Sequence, residues 1–182
     1  MDTGAENYRR YLQGDDKAFE AIIKEYRTGL TFFVNRYVHN MAVAEDLVID
    51  AFADLIVHKK RYNFKSSLKT YLFMIGRSRA LDYLKHNKKI RLEELTAEER
   101  DAYIDFAFEE RIFADERKCR LNAAVQMLQP QMRAAVHLVY FEELSYAEAA
   151  KVMKKSRKQI DNLLYRAKQI LREAMGEDGD SR

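Results

Sequence analysis

The chain has 182 residues with 32 Lys and Arg against 29 Asp and Glu, a net charge of +3, and enough apolar residues for one large core or two small ones. Its single cysteine, Cys119, excludes an internal disulfide, and no Cys and His set stands at metal spacing, which fits a reducing compartment. The start, Met1 to Glu6, has no basic or apolar run, and nowhere do about 18 apolar residues follow one another, so neither a signal peptide nor a membrane span is expected and the default location is cytoplasmic.

Six glycines and one proline leave few places for turns or hairpins, and no glycine falls between Gly76 and Gly176, so the fold class expected is all-α. A first helix fits about Asp16 to Val38, where Phe19, Ile22, Ile23, Tyr26, Leu30, Phe33, Val34 and Tyr37 keep one face apolar. A second fits about Ala42 to His58 on Ala44, Leu47, Val48, Ala51, Phe52, Leu55 and Ile56. A third opens near Ser66 or Ser67 and runs through Leu68, Leu72 and Ile75 to about Leu84. Three such stripes joined by short connections predict a compact bundle.

From about Lys88 to Lys118 the strong apolar stripe disappears and acids dominate, which reads as a linker. Thr96 and Glu99 form a capping box for a weak helix over about Ala97 to Asp115. Part helical and part extended, this stretch could reach roughly 70 Å. A second core begins at Leu121 with Val125, Leu128, Met132, Val136, Leu138 and Val139, and Pro130 starts a new helix.

Two further capping boxes, Ser145 with Glu148 and Ser156 with Gln159, then mark two short helices, about Tyr146 to Val152 and Arg157 to Ala174. Only Met153, Lys154 and Lys155 separate them, the spacing of a helix-turn-helix. In the second helix Ile160, Leu163, Leu164, Ala167, Ile170 and Leu171 form one apolar stripe. Turned away from it are Lys158, Asn162, Tyr165 and Gln169, flanked by Arg157, Asp161, Arg166 and Lys168. Between Lys151 and Arg172 stand eight Lys or Arg and one acid, Asp161. Such a helix can enter a major groove, its cations on phosphates and its amides on adenine; a solvated amphipathic helix would mix signs.

Charge is strongly blocked along the chain. Residues 41–57 carry four acids and no base, residues 59–91 eleven Lys or Arg against one acid, and residues 92–117 ten acids against three Arg. Two basic blocks parted by an acidic one suggest two separate contacts with a polyanion. The first block interleaves its cations with Phe64, Tyr71, Phe73 and Tyr83, a pattern that suits single-stranded nucleic acid, although such rings are core residues by default. Asp46, Asp50 and Asp54 recur every fourth residue, with a solvated face as the plain alternative to a docking role. No His lies near them and no loop supplies carbonyls, so no metal site is expected. His39, His58, His86 and His137 form no catalytic or zinc pattern, and no phosphate loop or nucleophile motif occurs, so neither enzymatic activity nor a cofactor is expected.

In this order the parts resemble a bacterial RNA polymerase sigma factor of the extracytoplasmic-function (ECF) group, which keeps the family's second and fourth conserved regions. Ala44 to Phe52 resembles the polymerase-clamp segment, Leu68 to Arg77 the promoter-melting helix and Ala80 to Leu84 its end; Leu144 to Ala150 and Tyr165 to Lys168 resemble the upstream-element reader. The resemblance covers about residues 8–87 and 119–174. Tyr71 stands where the family usually has tryptophan, Gln129 parts Leu128 from Pro130, and Asp161 replaces a common base on the recognition helix.

The resemblance implies an N-terminal domain over residues 1–87, an acidic linker over 88–118 and a helix-turn-helix domain with a polar tail over 119–182. Its implied partners are core RNA polymerase and promoter DNA, duplex and non-template single strand. Many members are held inactive by an anti-sigma protein, which makes one a candidate here; no membrane contact is implied. Arg157, Lys158, Gln159, Asn162, Tyr165 and Arg166 would read the upstream, minus-thirty-five element. Arg61, Phe64, Lys65, Lys69, Arg77, Ser78 and Arg79 would engage the minus-ten element and hold a flipped base in the loop around residues 60–67. Asp46, Leu47, Asp50, Phe52 and Asp54 would meet the polymerase. The competing expectation is a stand-alone dimeric helix-turn-helix regulator, which would footprint a palindrome without polymerase. A partner-sequestering helical bundle would show no salt-dependent DNA binding.

Overall fold

The structure, a computed structural model, describes residues 2–94 (side chains to residue 87), 124, 125 and 127–174. Seven α-helices carry these residues: α1 (Thr3–Leu12), α2 (Asp16–Val38), α3 (Met41–Val57), α4 (Leu68–Glu94), α5 (Pro130–Val136), α6 (Tyr146–Met153) and α7 (Arg157–Ala174). No strand occurs among the described residues. The helix expected over Ala97 to Asp115, its Thr96 and Glu99, and Leu121 lie outside them.

Helices α2 and α3 keep the bounds their apolar stripes predict to within a residue, each opened by a side-chain cap. Asp15 accepts from the Ala18 N–H and Asn40 from the Val43 N–H, satisfying backbone donors that have no partner inside the helix. His39 closes α2 in the left-handed region at φ 51°. Leu30, Phe33, Leu55, Leu72 and Phe73 are fully buried where α2, α3 and α4 meet. Gly76 permits the close approach of α4 to α2, since a Cβ there would lie 2.8 Å from Leu30 Cδ1 and 3.2 Å from Val34 Cγ2.

Two features depart from the sequence expectation. Helix α4 does not stop near Leu84 but runs to Glu94, into the stretch read as linker, because no Gly or Pro breaks it and Lys, Leu and Glu are good helix formers. Helix α1 was not expected at all. Capped by Asp2, it buries Tyr8 and Tyr11 against the bundle, and the Tyr8 hydroxyl donates to the carbonyls of Leu55 (2.9 Å) and Lys59 (3.3 Å). Burial pushes that phenol up to about 12, so it remains a donor.

The second half opens at Pro130, as its placement at a first helical position predicts. Helix α5 then widens into a π-turn, His137–Phe141, closed by the Glu142 N–H on the His137 carbonyl at 3.0 Å. Helix α6 packs on α4 and α7, and α5 on α7 and α2, so one continuous core joins both halves.

Candidate nucleic-acid and polymerase surfaces

Helices α6 and α7 form the helix-turn-helix that the capping boxes predict. Ser145 Oγ accepts from the Glu148 N–H (3.3 Å) while Glu148 accepts from the Ser145 N–H (3.0 Å); Ser156 and Gln159 repeat the arrangement at 3.2 and 2.8 Å. Lys154, at φ 52° and ψ 48°, makes the turn between them. Ile160, Leu164 and Ala167 are buried, whereas Arg157, Lys158, Gln159, Asp161, Asn162, Tyr165 and Arg166 are all exposed along one side. Tyr165 is 64 % exposed, too open for a structural ring, and its hydroxyl accepts from Gln169 Nε2 at 3.0 Å.

On α3, Asp46 and Asp50 are exposed and Asp54 is half-buried. Arg79 on α4 bridges two of them, with Nη1 3.1 Å from Asp50 and Nη2 2.6 Å from Asp54. The cation assigned to the minus-ten element is therefore paired with the acids assigned to polymerase. Beside this acidic row Ile49, Ile56 and Val57 are exposed. Phe52 departs from its assignment: it is buried edge-on to Phe19 at 6.4 Å, a core residue with no surface to offer polymerase. Leu47 is half-buried against the core.

The loop after α3 is tightly tied. Tyr62 is buried and donates to the Ser66 carbonyl at 2.7 Å, and the Lys65 N–H donates to Asn63 Oδ1 at 3.1 Å. Between them Phe64 adopts φ 60°, a conformation costly for a bulky residue, with its ring 4.6 Å from that of Tyr62. Arg61 and Lys65 are exposed. On α4, Ser78 is exposed, while Arg77 is half-buried beside Tyr37, whose phenol burial raises and the guanidinium partly lowers. Tyr71 is half-buried, its ring 5.1 Å from that of Tyr62, and Phe73 is wholly core.

Lys69 is not free. Its Nζ lies 2.9 Å from Glu142 Oε2 and donates to the Glu142 carbonyl at 2.6 Å, so the first basic block is pinned to the second half of the chain. Glu142 also approaches His137 Nε2 at 3.3 Å, and a Cβ at Gly29 would run into its carboxylate. His137, buried between Phe33 and Phe141, accepts at Nδ1 from Arg36 Nε at 3.0 Å. Burial, with Arg36 adding to it, holds His137 below the usual imidazole range. Burial pushes Glu142 up, but His137 and Lys69 outweigh it and hold the carboxyl below its usual range. Nearby, Glu148 Oε1 accepts from Ser67 Oγ (3.0 Å) and Thr70 Oγ1 (3.2 Å).

Sequence reasoning missed these cross-half partners, since nothing in local spacing links Glu142 to a residue 73 positions earlier. It also missed α1, whose Asp2, Glu6 and Arg9 border the loop at Phe64. The signal there was available: Asp2 as a cap before tyrosines at helical spacing. Among the described residues no helix is long and apolar enough to cross a membrane, and no group of three or more His, Cys, Asp or Glu could hold a metal.

Comparison with known proteins matches residues 22–90 to Sigma-70 region 2 and residues 120–171 to Sigma-70, region 4. The chain is 25 % identical over 174 residues to the RNA polymerase sigma-H factor of Pseudomonas aeruginosa, covering 91 % of this chain and 90 % of that one. It is 28 % identical over 158 residues to the ECF RNA polymerase sigma factor SigM of Bacillus subtilis, covering 84 % and 92 %. The fold matches that of the sigma factor RpoE in complex with the anti-sigma factor NepR from Bartonella quintana, with a TM-score of 0.67, 23 % identity and coverage of 90 % and 99 %. It also matches CnrH in complex with the cytosolic domain of CnrY, with a TM-score of 0.67, 18 % identity and coverage of 98 % and 100 %.

Proposed function

Because this chain belongs to the sigma-70 family, as an ECF sigma factor that directs promoter-specific transcription initiation by RNA polymerase, we propose a division of that work among its surfaces. Residues 1–87 bind core polymerase and open the minus-ten element, residues 119–182 read the minus-thirty-five element, and residues 88–118 connect them. The observation that carries this reading is α7, with Ile160, Leu164 and Ala167 buried and a continuous exposed row of Arg157, Lys158, Gln159, Asn162, Tyr165 and Arg166. Cations in such a row neutralise phosphates, and the Asn and Gln amides suit adenine N6 and N7. Asp161, exposed in the same row, repels phosphate but can accept from cytosine N4, so the upstream sequence does not carry over from relatives with a basic residue there.

Asp46, Leu47 and Asp50, with the exposed apolar residues Ile49, Ile56 and Val57 around them, make the polymerase-facing surface. Arg61, Lys65 and Ser78 are open to the melted strand. Lys69 and Arg79 become available to it only on exchanging their carboxylate partners. The chain works as a non-catalytic subunit, recovering the few kcal/mol of base extrusion through stacking and pocket contacts. The solved sigma factor RpoE of like fold is described in complex with an anti-sigma factor, and an anti-sigma protein is the proposed restraint here.

Lys158→Ala or Asn162→Ala is expected to lower transcription from the cognate promoter several-fold through its upstream element and to leave the one-to-one complex with core polymerase intact on size exclusion. Loss of that complex in either variant counts against the division of labour. A stand-alone dimeric regulator would instead footprint a palindrome without core polymerase, and would leave the α3 surface without a use.

A further inference from the structure

Lys158, Asn162, Tyr165 and Gln169 follow one another along α7 at steps of four, three and four residues, and all four are exposed. At 100° per residue these steps keep them within an arc of about 60°. The arc lies opposite Ile160, Leu164 and Ala167, which are buried, so Gln169 faces away from the core as squarely as Asn162 does. Gln169 is the one member of this row that the division of labour above leaves without a part.

By position alone Gln169 stands a turn too far along. Lys158, Asn162 and Tyr165 already fill the i, i+4 and i+7 places from which a helix reads a major groove, and one more turn adds about 5.4 Å. Tyr165 removes that obstacle. Its hydroxyl accepts from Gln169 Nε2 at 3.0 Å, and a helical side chain leans back over the turn before its own Cα. The amide head is therefore held at the level of Tyr165. The same bond fixes the sense of the amide. One Nε2 hydrogen goes to the phenol, while the other and Oε1 stay open on an exposed side chain. A donor beside an acceptor in one plane is the pattern that meets adenine N7 and N6. As a helix brace alone the pair would achieve little, since exposed i, i+4 polar pairs stabilise helices only weakly.

We propose that Gln169 is a further specificity-determining residue of the upstream-element reader. It selects adenine, accepting from N6 at Oε1 and donating to N7 from the second Nε2 hydrogen, and Tyr165 is the residue that positions it. The inference rests on the assignment of α7 to the major groove of that element. Neither side chain carries a charge, so the pair adds base selection without adding to the salt-dependent attraction that Arg157, Lys158 and Arg166 supply.

The test is run-off transcription by holoenzyme on promoters randomised across the upstream element, with the minus-ten element held constant, read by sequencing the transcripts. Wild-type protein should favour adenine roughly tenfold at one position that Gln169→Ala flattens, and flattens alone. Gln169→Glu, whose carboxylate accepts but cannot donate, should move the preference there to cytosine. Tyr165→Phe keeps the ring, loses the hydroxyl and should weaken the adenine preference at the same position. Asn162→Ala, run alongside, should act at a different one. The proposal is overturned if Gln169→Ala keeps every wild-type preference, or if it lowers transcription equally from all library members, as the loss of a phosphate contact or of a helix brace would. If Tyr165→Phe keeps the adenine preference that Gln169→Ala loses, the positioning role alone is overturned. If neither Gln169→Ala nor Asn162→Ala changes any preference, the assignment of α7 to the upstream element falls as well.

Discussion

At Asp2 a single side chain serves two helices, and that is why ten N-terminal residues with little apolar content hold to the bundle. One carboxylate oxygen accepts from Ala5 at the start of α1 and the other from Leu68 at the start of α4. Asp2→Ala leaves both donors unpaired and should cost about 1–2 kcal/mol, measured as a lower urea midpoint with an unchanged m-value. His137 shows the same economy with a different consequence. Its Nδ1 already accepts from Arg36 on α2, its other nitrogen faces Glu142, itself paired with Lys69 on α4, and Phe33 and Phe141 cover its faces. A second proton has no place there, so its folded-state affinity for protons lies below the ordinary value of 6.5. The sign follows: above 6.5 neither state is protonated and the contact is at full strength, and as pH falls below 6.5 the separated form gains a proton that the packed form resists. Glu142, lowered from 4.5, weakens the contact further below that value.

Among the elements, α3 and α7 show how far a sequence reports a surface. Period-3.6 patterning marks which residues of α7 are buried, and the unburied ones are the proposed reading face. On α3 the same patterning marks Phe52 as core, and only analogy with a family segment turned it outward. Asp50→Arg should weaken core binding at least tenfold by pull-down or fluorescence titration and leave the bundle folded, because Arg79 keeps its 2.6 Å contact with Asp54. The helices and caps were legible because each is set by residues within four positions of one another. The π-turn was not. His137 to Phe141 is an apolar run that continues a helix by every local rule, and the widened turn appears only where His137 and Phe141 stack in register with Phe33. Helix α1 itself was marked locally by Asp2 and the spacing of its tyrosines, but its hold on the bundle was not, because that comes from Tyr8 and Asp2, whose partners lie more than 45 residues away.

Across the whole molecule, the two halves share one apolar core, and at its edge carboxylates of the second half meet hydroxyls and cations of the first. Glu142 holds Lys69, and Glu148 holds Ser67 and Thr70, at the opening turn of the helix proposed to melt DNA. On the proposed division of labour, promoter elements about two DNA turns, or roughly 70 Å, apart are out of reach of two domains in contact, so that reading requires holoenzyme formation to part them. Small-angle scattering of the free protein should give a larger radius of gyration for Glu142→Gln than for wild type at pH 7.5, and for wild type at pH 5.5 than at pH 7.5. An unchanged radius in both comparisons would exclude these groups as the hold between the halves. On that reading Glu142 and Glu148 are tethered rivals of the nucleic acid. A rival on the same chain is never diluted: its effective concentration is fixed by the connection, of order millimolar for a short flexible one, however few copies the cell contains. The closed fraction of the free chain is accordingly the same at ten molecules per cell as at ten thousand, and any threshold with rising copy number must come from the separate anti-sigma partner proposed above.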